Sequence, residues 1–293
     1  MSQDDLPREM TNLNRFCAGV VTYNPDIKRL ELVLGSIVGQ VESLIVADNG
    51  SENIDEIERV TQSFGNAILL KNNENKGIAT ALNQICRYAK QQFFSWVLTL
   101  DQDTICPSDI VEKLSKGTAI KKVGIVCPAV DYEGINLNTY NKQEEIEEDT
   151  ACMTSASLTN ILAWEEVDGF KDDYFIDFVD NEFCMKLRIY GYKILRVNSC
   201  AISHRLGNSV ERQFLWKKIR GTSHRPWRIY YMVRNNLLFI SEYKHNLNIV
   251  KEYVKVIYIL LNEFYFSDKK KCVMQYAWKG LTDAIHHKTG KML

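Results

Sequence analysis

WVLTLDQD, residues 96–103, is an apolar run of strand length that ends in two carboxylates, Asp101 and Asp103. Such a run is typical of a strand that is buried on both faces of a sheet. Its carboxylates come two residues apart on a turn, where their oxygens can converge on one point. Oxygen ligands suit a hard divalent cation, although Asp103 can equally cap the helix that follows.

Three earlier apolar runs repeat this pattern, each ending in polar residues and separated from the next by a stretch with helical spacing. The predicted segments are strands over 16–22, 43–47, 67–70 and 96–100, and helices over 27–41, 54–64 and 78–92. This alternation predicts an α/β fold with an open, mostly parallel sheet that is covered by helices on both faces. The carboxyl ends of parallel strands share one edge, where such sheets bind ligands.

Four polar strand ends therefore form one candidate nucleotide site. They are Thr22, Tyr23 and Asn24; Asp48 and Asn49; Asn75, Lys76 and Gly77; and Asp101, Gln102 and Asp103. Asp48 can accept a hydrogen bond from a pyrimidine imide or close an Asx turn. Lys76 and Gly77 open a helix whose backbone N–H groups can meet a phosphate. GxGxxG and P-loop patterns are absent, which argues against a nucleotidyltransferase.

The second half of the chain is predicted to continue the sheet and then become helical. The predicted elements are strands over 124–130, 152–162 and 193–204, helices over 164–170, 180–190, 216–240 and 246–266, a helical tail from 267, and an exposed loop over 136–150. Asp177, Asp180 and Glu182 form a carboxylate cluster beside Phe178. Asp180 lies near the start of a predicted helix, where a negative charge is favoured as a helix-capping acid.

Composition narrows the class of protein. The chain has 293 residues, 36 Lys+Arg and 37 Asp+Glu, so its net charge gives no general attraction to nucleic acid. Its eight cysteines form no CxxC pair, and no apolar signal segment opens the sequence, so we expect reduced thiols in a cytoplasmic protein. No apolar run approaches the ~20 residues that span a bilayer.

Charge is nevertheless uneven along the chain. Residues 211–293 contain 16 Lys+Arg and 6 Asp+Glu, while the remainder is net acidic. We divide the chain into a catalytic domain over 1–210 and a basic, mainly helical region over 211–293. The basic region is a solvated surface, a membrane contact at the inner face or a homo-oligomer contact, and the sequence leaves these alternatives open.

Taken in order, the motifs resemble the family 2 glycosyltransferases of the GT-A fold, over about residues 16–239. The resemblance rests on VVTYNP (20–25), DNGS (48–51), NKG (75–77), DQD (101–103), DGF (168–170) and FIDFVDNEFC (175–184). The last motif, with SHRLG (203–207), is most similar to the branch that uses dTDP-rhamnose. Val179 stands where the general family has Glu, and this departure suits the rhamnosyl branch.

The resemblance implies an inverting, metal-dependent transferase that builds a cell-surface polysaccharide. Its partners would be a nucleotide-sugar donor, dTDP- or UDP-linked, and a saccharide or lipid-linked saccharide acceptor. On the donor side, the resemblance implies that Asp48 binds the pyrimidine, that Asp101 binds the ribose or a metal-bound water, and that Arg234 binds the diphosphate. It implies that Asp103 and His204 are ligands of Mg²⁺ or Mn²⁺. Asp180 would be the general base, and the acceptor side would be formed by Asp177, Phe178 and Glu182. Alternatives are a UDP-galactose or UDP-GlcNAc donor, a non-catalytic nucleotide-binding module and a nucleic-acid binder.

Overall fold

A computed structural model describes residues 14–132, 145–204, 209–214 and 217–292 of the chain. Its strands are β1 (Phe16–Thr22), β2 (Ser43–Asp48), β3 (Ala67–Lys71), β4 (Trp96–Asp101), β5 (Val123–Tyr132), β6 (Ile146–Asp149), β7 (Ser157–Asn160), β8 (Lys193–His204), β9 (Ser209–Phe214) and β10 (Lys217–Thr222). Its α-helices are α1 (Ile27–Ile37), α2 (Ile54–Gln62), α3 (Ile78–Gln91), α4 (Ile110–Thr118), α5 (Ile161–Glu166), α6 (Val179–Ile189), α7 (Pro226–Glu242), α8 (Ile249–Phe266) and α9 (Lys270–Ile285).

Eight of these strands form one sheet in the order β3-β2-β1-β4-β7-β5-β8-β6. β7 runs antiparallel to β4 and to β5, and β6 runs antiparallel to β8, while the other neighbours are parallel. The carboxyl ends of β1, β2, β3, β4, β5 and β8 therefore lie at one edge. The predicted open, mostly parallel α/β sheet is confirmed.

Helices cover both faces of the sheet, as its two-sided burial requires. On one face, Leu30 and Leu34 of α1 and Leu114 of α4 are buried against the strands. On the other face, Ile85 of α3 and Phe183 of α6 are buried. The core is thus split into two apolar layers with the sheet between them.

The C-terminal region packs as α7, α8 and α9, which confirms its mainly helical character. The Tyr230 hydroxyl on α7 donates to Asp283 on α9 across 2.9 Å. Within the described residues, no helix combines the length and the apolar character that crossing a membrane would need. The proposed boundary at residue 210 between two domains stays a prediction.

Three predicted elements were wrong. Residues 217–222 are not helical but form β10, which pairs with β9, and the helix starts only at Pro226, a residue favoured in a first helical turn. The strand predicted over 152–162 is limited to β7, because the Asn160 side chain accepts from Leu162 N and Ala163 N and so caps α5.

The third error concerns the acidic segment that was predicted to be an exposed loop over 136–150. Its last part is β6, an edge strand that pairs with β8. The guanidinium of Arg196 on β8 binds the carboxylates of Glu147 and Asp149. Neutralisation across the strand pair makes pairing of an acidic edge strand favourable. Residues 136–144 of the predicted loop lie outside the described residues.

Candidate active site

The ends of β2, β1 and β4 lie side by side and carry three of the predicted site positions. Thr22 is in register with Asp48, and Val21 is in register with Asp101. The loops that follow are tied together, since Tyr23 N donates to Gln102 Oε1 across 2.8 Å. Asn24 Oδ1 accepts from Glu52 N. The first two polar strand ends and the fourth thus form one continuous rim.

Asp48 is fully buried and its carboxylate is already hydrogen-bonded on every side. Oδ1 accepts from the hydroxyls of Thr22 and Ser51, and Oδ2 accepts from the backbone N–H groups of Gly50 and Ser51. A carboxylate offers about four lone-pair positions, so these bonds use all of them. The geometry favours the Asx-type turn over a direct contact of Asp48 with a pyrimidine, and the latter role stays a prediction.

The third polar strand end is held against both the rim and the region before α6. Asn49 Nδ2 donates to Gly77 O across 2.9 Å, and Asn49 Oδ1 accepts from Lys76 N. Asn75 Oδ1 accepts from Gly77 N. Gly77 has φ +88°, and a Cβ at this position would lie 2.6 Å from Phe175 O. Only glycine therefore allows this close approach without strain.

Asp101 lies among other negative charges. Burial raises the pKa of Asp101 to about 7, and the charges of Asp180 and Asp103 add to this rise. A hydrogen bond with Ser155 and the charge of Arg228 oppose it. The contribution of Asp180 requires that its carboxylate lies near that of Asp101. Positions far apart in the sequence are thus brought to one site.

The segment before β7 connects these two carboxylates. Asp101 N donates to Ser155 Oγ across 3.0 Å, and the hydroxyl of the preceding residue, Thr154, donates to Asp180 Oδ1. Burial raises the pKa of Asp180; the hydrogen bonds from Thr154 oppose this, Asp177 adds to the rise, and Arg228 opposes it. A partly buried carboxylate with a raised pKa is a better proton acceptor than an exposed one.

The backbone before α6 is strained in a way that is typical of functional sites. Phe175, Asp177 and Phe178 all have positive φ angles, of 58°, 64° and 65°. Asn235 on α7 holds this segment, because its Nδ2 lies 2.8–2.9 Å from the carbonyl oxygens of Tyr174, Ile176 and Asp177. Backbone strain of this kind persists only where surrounding contacts enforce it.

Arg228 is the cation that faces the carboxylates. Its guanidinium binds Asp177, and the side chain of Arg228 remains 41% exposed. Burial lowers the pKa of Arg228, but Asp177, Asp101 and Glu263 together raise it above its usual value. Arg228 is therefore a charged group at the site with part of its surface open to a ligand.

Arg234 was predicted to bind the diphosphate, and the structure contradicts this. The side chain is fully buried. Its five N–H groups are directed at Asn235 Oδ1, Tyr230 Oη and the carbonyl oxygens of Gly290, Asp173 and Tyr174. Because a guanidinium has five donors, none remains for a phosphate. Arg234 instead anchors the backbone that precedes the strained segment.

Of the residues predicted on the acceptor side, Glu182 points elsewhere, whereas the acceptor-side role of Phe178 stays a prediction. Glu182 is 1% exposed, accepts from Tyr243 Oη across 2.7 Å and pairs with Lys186. Burial raises its pKa, which Lys186 and Tyr243 oppose. Glu182 thus lies inside the packing between α6 and α7, so the acceptor-side prediction is wrong for it. Phe178 packs on Phe239, with ring centroids 5.6 Å apart.

A pocket of about 320 Å³ opens beside Asp180. Ser155, Cys152, Arg196 and Asp149 contribute to its lining. The pocket therefore joins Asp180 to the Arg196 ion pairs of the sheet edge. It offers hydrogen-bonding groups on two sides of a volume that is large enough for part of a saccharide.

The residues at this site fit a divalent cation that is held jointly by protein and ligand. Asp101 and Asp103 lie close enough that the second raises the pKa of the first, which a cation between them would reverse. Among the described residues, no set of three or more His, Cys, Asp or Glu side chains surrounds one point. Mg²⁺ typically takes one or two carboxylates and completes its shell with phosphates and water.

His204, predicted as a further metal ligand, ends β8 at the same edge of the sheet. Its side chain lies outside the described residues, as do residues 205–208, so its role stays a prediction. Asp103 is exposed, and its backbone carbonyl accepts from the Arg29 Nε across 2.9 Å. This bond fixes the turn that carries the second carboxylate.

Sequence reasoning missed Arg228, Thr154 and Ser155. Thr154 and Ser155 lie in a segment of small apolar and hydroxyl residues, a pattern that predicts a strand but does not single out either side chain. The proximity of Arg228 to Asp177 depends on how α7 packs, although an arginine near the start of an aromatic-rich helix was visible. The described contacts bring these three residues into the same site as Asp101 and Asp180.

Comparisons with known proteins show what this chain is similar to. The model of the family described as "Glycosyl transferase family 2" matches residues 17–196. The dTDP-rhamnosyl transferase RfbF of Shigella flexneri is 25% identical over 299 residues, which covers 93% of this chain and 96% of that protein.

Two solved structures show the same fold at low identity. The mannosyltransferase PcManGT from Pyrobaculum calidifontis, in complex with GDP-Man and Mn²⁺, has a TM-score of 0.60 and 17% identity, covering 93% of this chain and 75% of that one. The structure of S. aureus TarS residues 1–349 in complex with UDP-GlcNAc has a TM-score of 0.61 and 17% identity, covering 93% of this chain and 81% of that one. The architecture is therefore of the GT-A type.

Proposed function

This chain belongs to glycosyl transferase family 2, and from that premise we propose that it transfers L-rhamnose from dTDP-rhamnose to a saccharide or lipid-linked saccharide. The rhamnosyl donor is supported by the 25% identity to the dTDP-rhamnosyl transferase of Shigella flexneri, which extends over nearly all of both chains. We propose polysaccharide assembly at the cell surface as its setting, with the enzyme in the cytoplasm. Eight cysteines without a disulfide support a reducing compartment.

The observation that supports catalysis most directly is the proximity of Asp101 and Asp180, which adjacent residues Ser155 and Thr154 contact, with Asp103 beside Asp101. A single displacement needs a base on the acceptor side and positive charge on the leaving-group side. In our proposal Asp101 and Asp103 hold a Mg²⁺ or Mn²⁺ ion. When bound, this ion neutralises the charge that develops on the departing nucleoside diphosphate.

The proposed base is Asp180, which takes the proton from the acceptor hydroxyl. The hydroxyl oxygen forms a bond to the anomeric carbon while the bond from that carbon to the diphosphate oxygen breaks, so the anomeric configuration inverts. Thr154 keeps Asp180 oriented through its hydroxyl hydrogen bond. The pocket of about 320 Å³ beside Asp180 is the proposed position of the acceptor.

The proposed diphosphate ligand is Arg228 in place of Arg234. A bidentate guanidinium that binds a carboxylate has the geometry to bind a phosphate instead. We propose that a bound donor takes over the contact that Asp177 makes with Arg228, and that Asp177 then faces the acceptor. The loops around Tyr23, Gln102 and Lys76 would surround the nucleoside.

Product analysis tests this proposal directly. The protein is incubated with dTDP-rhamnose, UDP-galactose or UDP-GlcNAc, a saccharide acceptor and Mn²⁺, and glycosylated products are identified by mass spectrometry. We expect transfer of rhamnose with the opposite anomeric configuration to that of the donor. Transfer only from a UDP-sugar would replace the donor assignment, and nucleotide binding without any product would favour a non-catalytic module. Thermal shifts with dTDP and with UDP give an independent ranking of the nucleotides.

A further inference from the structure

Helix α8 has an apolar face that is largely exposed in the described part of the chain. We call this face the α8 stripe, and it consists of Val250, Tyr253, Val254, Ile257, Tyr258 and Leu261. These side chains are 48–73% exposed. Their spacing of three and four residues places them on one side of the helix. The opposite side, with Val256 and Phe266, is buried against the protein.

The charges around the α8 stripe have one sign. Both acids of α8 are turned inward, with Glu252 8% exposed and Glu263 1% exposed. The exposed ionic residues of the helix are Lys251, which borders the stripe, and Lys255, whose Nζ is paired with the Glu252 carboxylate across 2.7 Å. At its far end, the Lys270 Nζ lies 5.3 Å from the ring centroid of Phe264. The apolar surface is therefore bordered by lysines.

The turn after α8 contains one exposed acid, Asp268. Its carboxylate is bound by the guanidinium of Arg212 on β9, so its charge is balanced locally. The rest of this turn and the first turn of α9 add Lys269, Lys270 and Lys271. The net charge beside the stripe is positive.

We infer that the α8 stripe docks on the surface of an anionic lipid bilayer, with the helix lying along the membrane. An 18-residue helix is about 27 Å long, so the stripe can insert side chains along its whole length. Exposed aliphatic and tyrosine side chains bordered by lysines are the composition of helices that lie in the interface. Each lysine close to anionic headgroups strengthens such binding.

A second copy of this chain fits the α8 stripe less well. A two-fold contact is isologous, so the stripe and its lysine border would meet the same surface of the second copy. The lysines beside the stripe would then meet another lysine-bordered surface, while Glu263 is buried and Glu252 is already paired with Lys255. A lipid surface with negative headgroups supplies the complementary charge that a second copy lacks.

Buried contacts join this face to the active site. Glu263 on α8 accepts from His224 N across 3.0 Å, and its Oε1 lies 2.5 Å from His224 Nδ1. α7 begins two residues later, and its first turn carries Arg228. Docking through α8 would hold the site close to the bilayer, where a lipid-linked acceptor is presented; this consequence rests on the proposed function, whereas the docking itself does not.

Co-sedimentation with vesicles tests the inference. The full chain is mixed with vesicles of phosphatidylethanolamine and phosphatidylglycerol, and separately with vesicles of phosphatidylcholine. We expect binding to the anionic vesicles that weakens as salt is raised. The triple variant I257S/Y258S/L261S should lose at least about tenfold in vesicle partition. The pair K251Q/K271Q, which changes two exposed lysines beside the stripe, should lose about tenfold on anionic vesicles only.

The matched control is L32S/L162S, which removes two exposed leucines, from α1 and α5, that lie outside the C-terminal helices. It should bind vesicles like the unmodified chain. Circular dichroism melts check that every variant is folded, which we expect because the replaced side chains are exposed. Equal vesicle binding by the triple variant and the control would overturn the inference.

Two further results would also overturn it. One is an absence of vesicle binding by the unmodified chain. The other is a dimer, seen by light scattering, that the triple variant dissociates while no form binds vesicles. Thermal shifts with dTDP on the same samples separate this inference from the proposed function. Nucleotide binding without vesicle binding contradicts only the docking, and vesicle binding without nucleotide binding contradicts only the proposed function.

Discussion

The guanidinium of Arg228 binds both carboxylate oxygens of Asp177, with Nε 3.0 Å from each and Nη2 2.8 Å from Oδ1. This ion pair links the first turn of α7 to the strained segment before α6. The Asp177 side chain is 13% exposed, so the pair lies at the border between packing and solvent. An arginine in this position can exchange one anion for another without moving its backbone.

We predict that Arg228→Gln lowers kcat/KM for the nucleotide-sugar donor by about a hundredfold, because a charge-assisted contact to the diphosphate is lost. The thermal unfolding midpoint should change little, since a partly exposed ion pair adds little stability. Steady-state kinetics with varied donor and a thermal melt measure the two effects. The control is Arg225→Gln, an exposed arginine that precedes α7.

The buried arginine of the same helix should behave in the opposite way. Arg234→Gln removes donors from the carbonyl oxygens of Gly290 and Asp173 and should lower the free energy of unfolding by about 3 kcal/mol. Denaturant unfolding measures this loss. Full stability of this variant, together with a selective loss of donor binding, would show that Arg234 is the diphosphate ligand after all.

Asp180→Asn should reduce kcat by about a thousandfold, because the amide cannot accept the proton of the acceptor hydroxyl. Affinity for dTDP with Mn²⁺ should persist, since the proposed role lies on the acceptor side. Turnover assays and nucleotide titrations separate these quantities. Asp173→Asn, which changes an exposed carboxylate on the neighbouring turn, should leave both unchanged. Normal turnover by the Asp180 variant would exclude it as the base.

Much of the fold follows from local patterns in the sequence. Apolar runs that end in Thr22, Asp48 and Asp101 are strands because their side chains are buried on both faces, and this local pattern is complete in each run. The edge at which the strands end follows from the handedness of the crossovers. These features need no knowledge of distant contacts, which is why they were predicted correctly.

The orientation of individual site residues does not follow in the same way. Arg228 and Arg234 lie six residues apart on one helix, about 600° of rotation, so they face different sides. Which side meets the site depends on the contacts of Asn235 with the segment before α6. Glu182 likewise lies two residues from Asp180 but on another face of α6. Tertiary packing, and not local pattern, decides which carboxylate is buried.

The raised pKa of Asp101 predicts an unusual dependence of stability on pH. A free aspartate has a pKa of about 3.9, and the folded value is about 7. Between these values the folded protein binds more protons than the unfolded chain, so this group makes stability fall as pH rises. In EDTA, we expect the unfolding free energy to decrease from about pH 4 to about pH 7. Denaturant unfolding across this range measures it.

Asp101→Asn isolates the contribution of this carboxyl. The unfolding free energy of the variant should not decrease over this pH range. At pH 8 the variant should be more stable than the unmodified protein, because an unfavourable buried charge is gone. In the control variant Asp173→Asn, the unfolding free energy should still decrease as pH rises. Addition of Mn²⁺ at pH 8 should stabilise the unmodified protein but not the Asp101 variant. Parallel pH profiles for all three proteins would contradict the predicted burial of charge at Asp101.

Gly77→Ala tests whether the contact between the third strand-end loop and Phe175 organises the site. The added methyl group would lie 2.6 Å from Phe175 O, at a φ of +88° that alanine adopts only with strain. We expect a loss of at least about 2 kcal/mol in unfolding free energy and a raised KM for the donor, because both loops must shift. Gly65→Ala is the matched control, since its methyl group would meet no atom within 4 Å. If both variants bound donor equally well, the two loops would act independently, and the rigid contact at Gly77 would have no part in forming the nucleotide site.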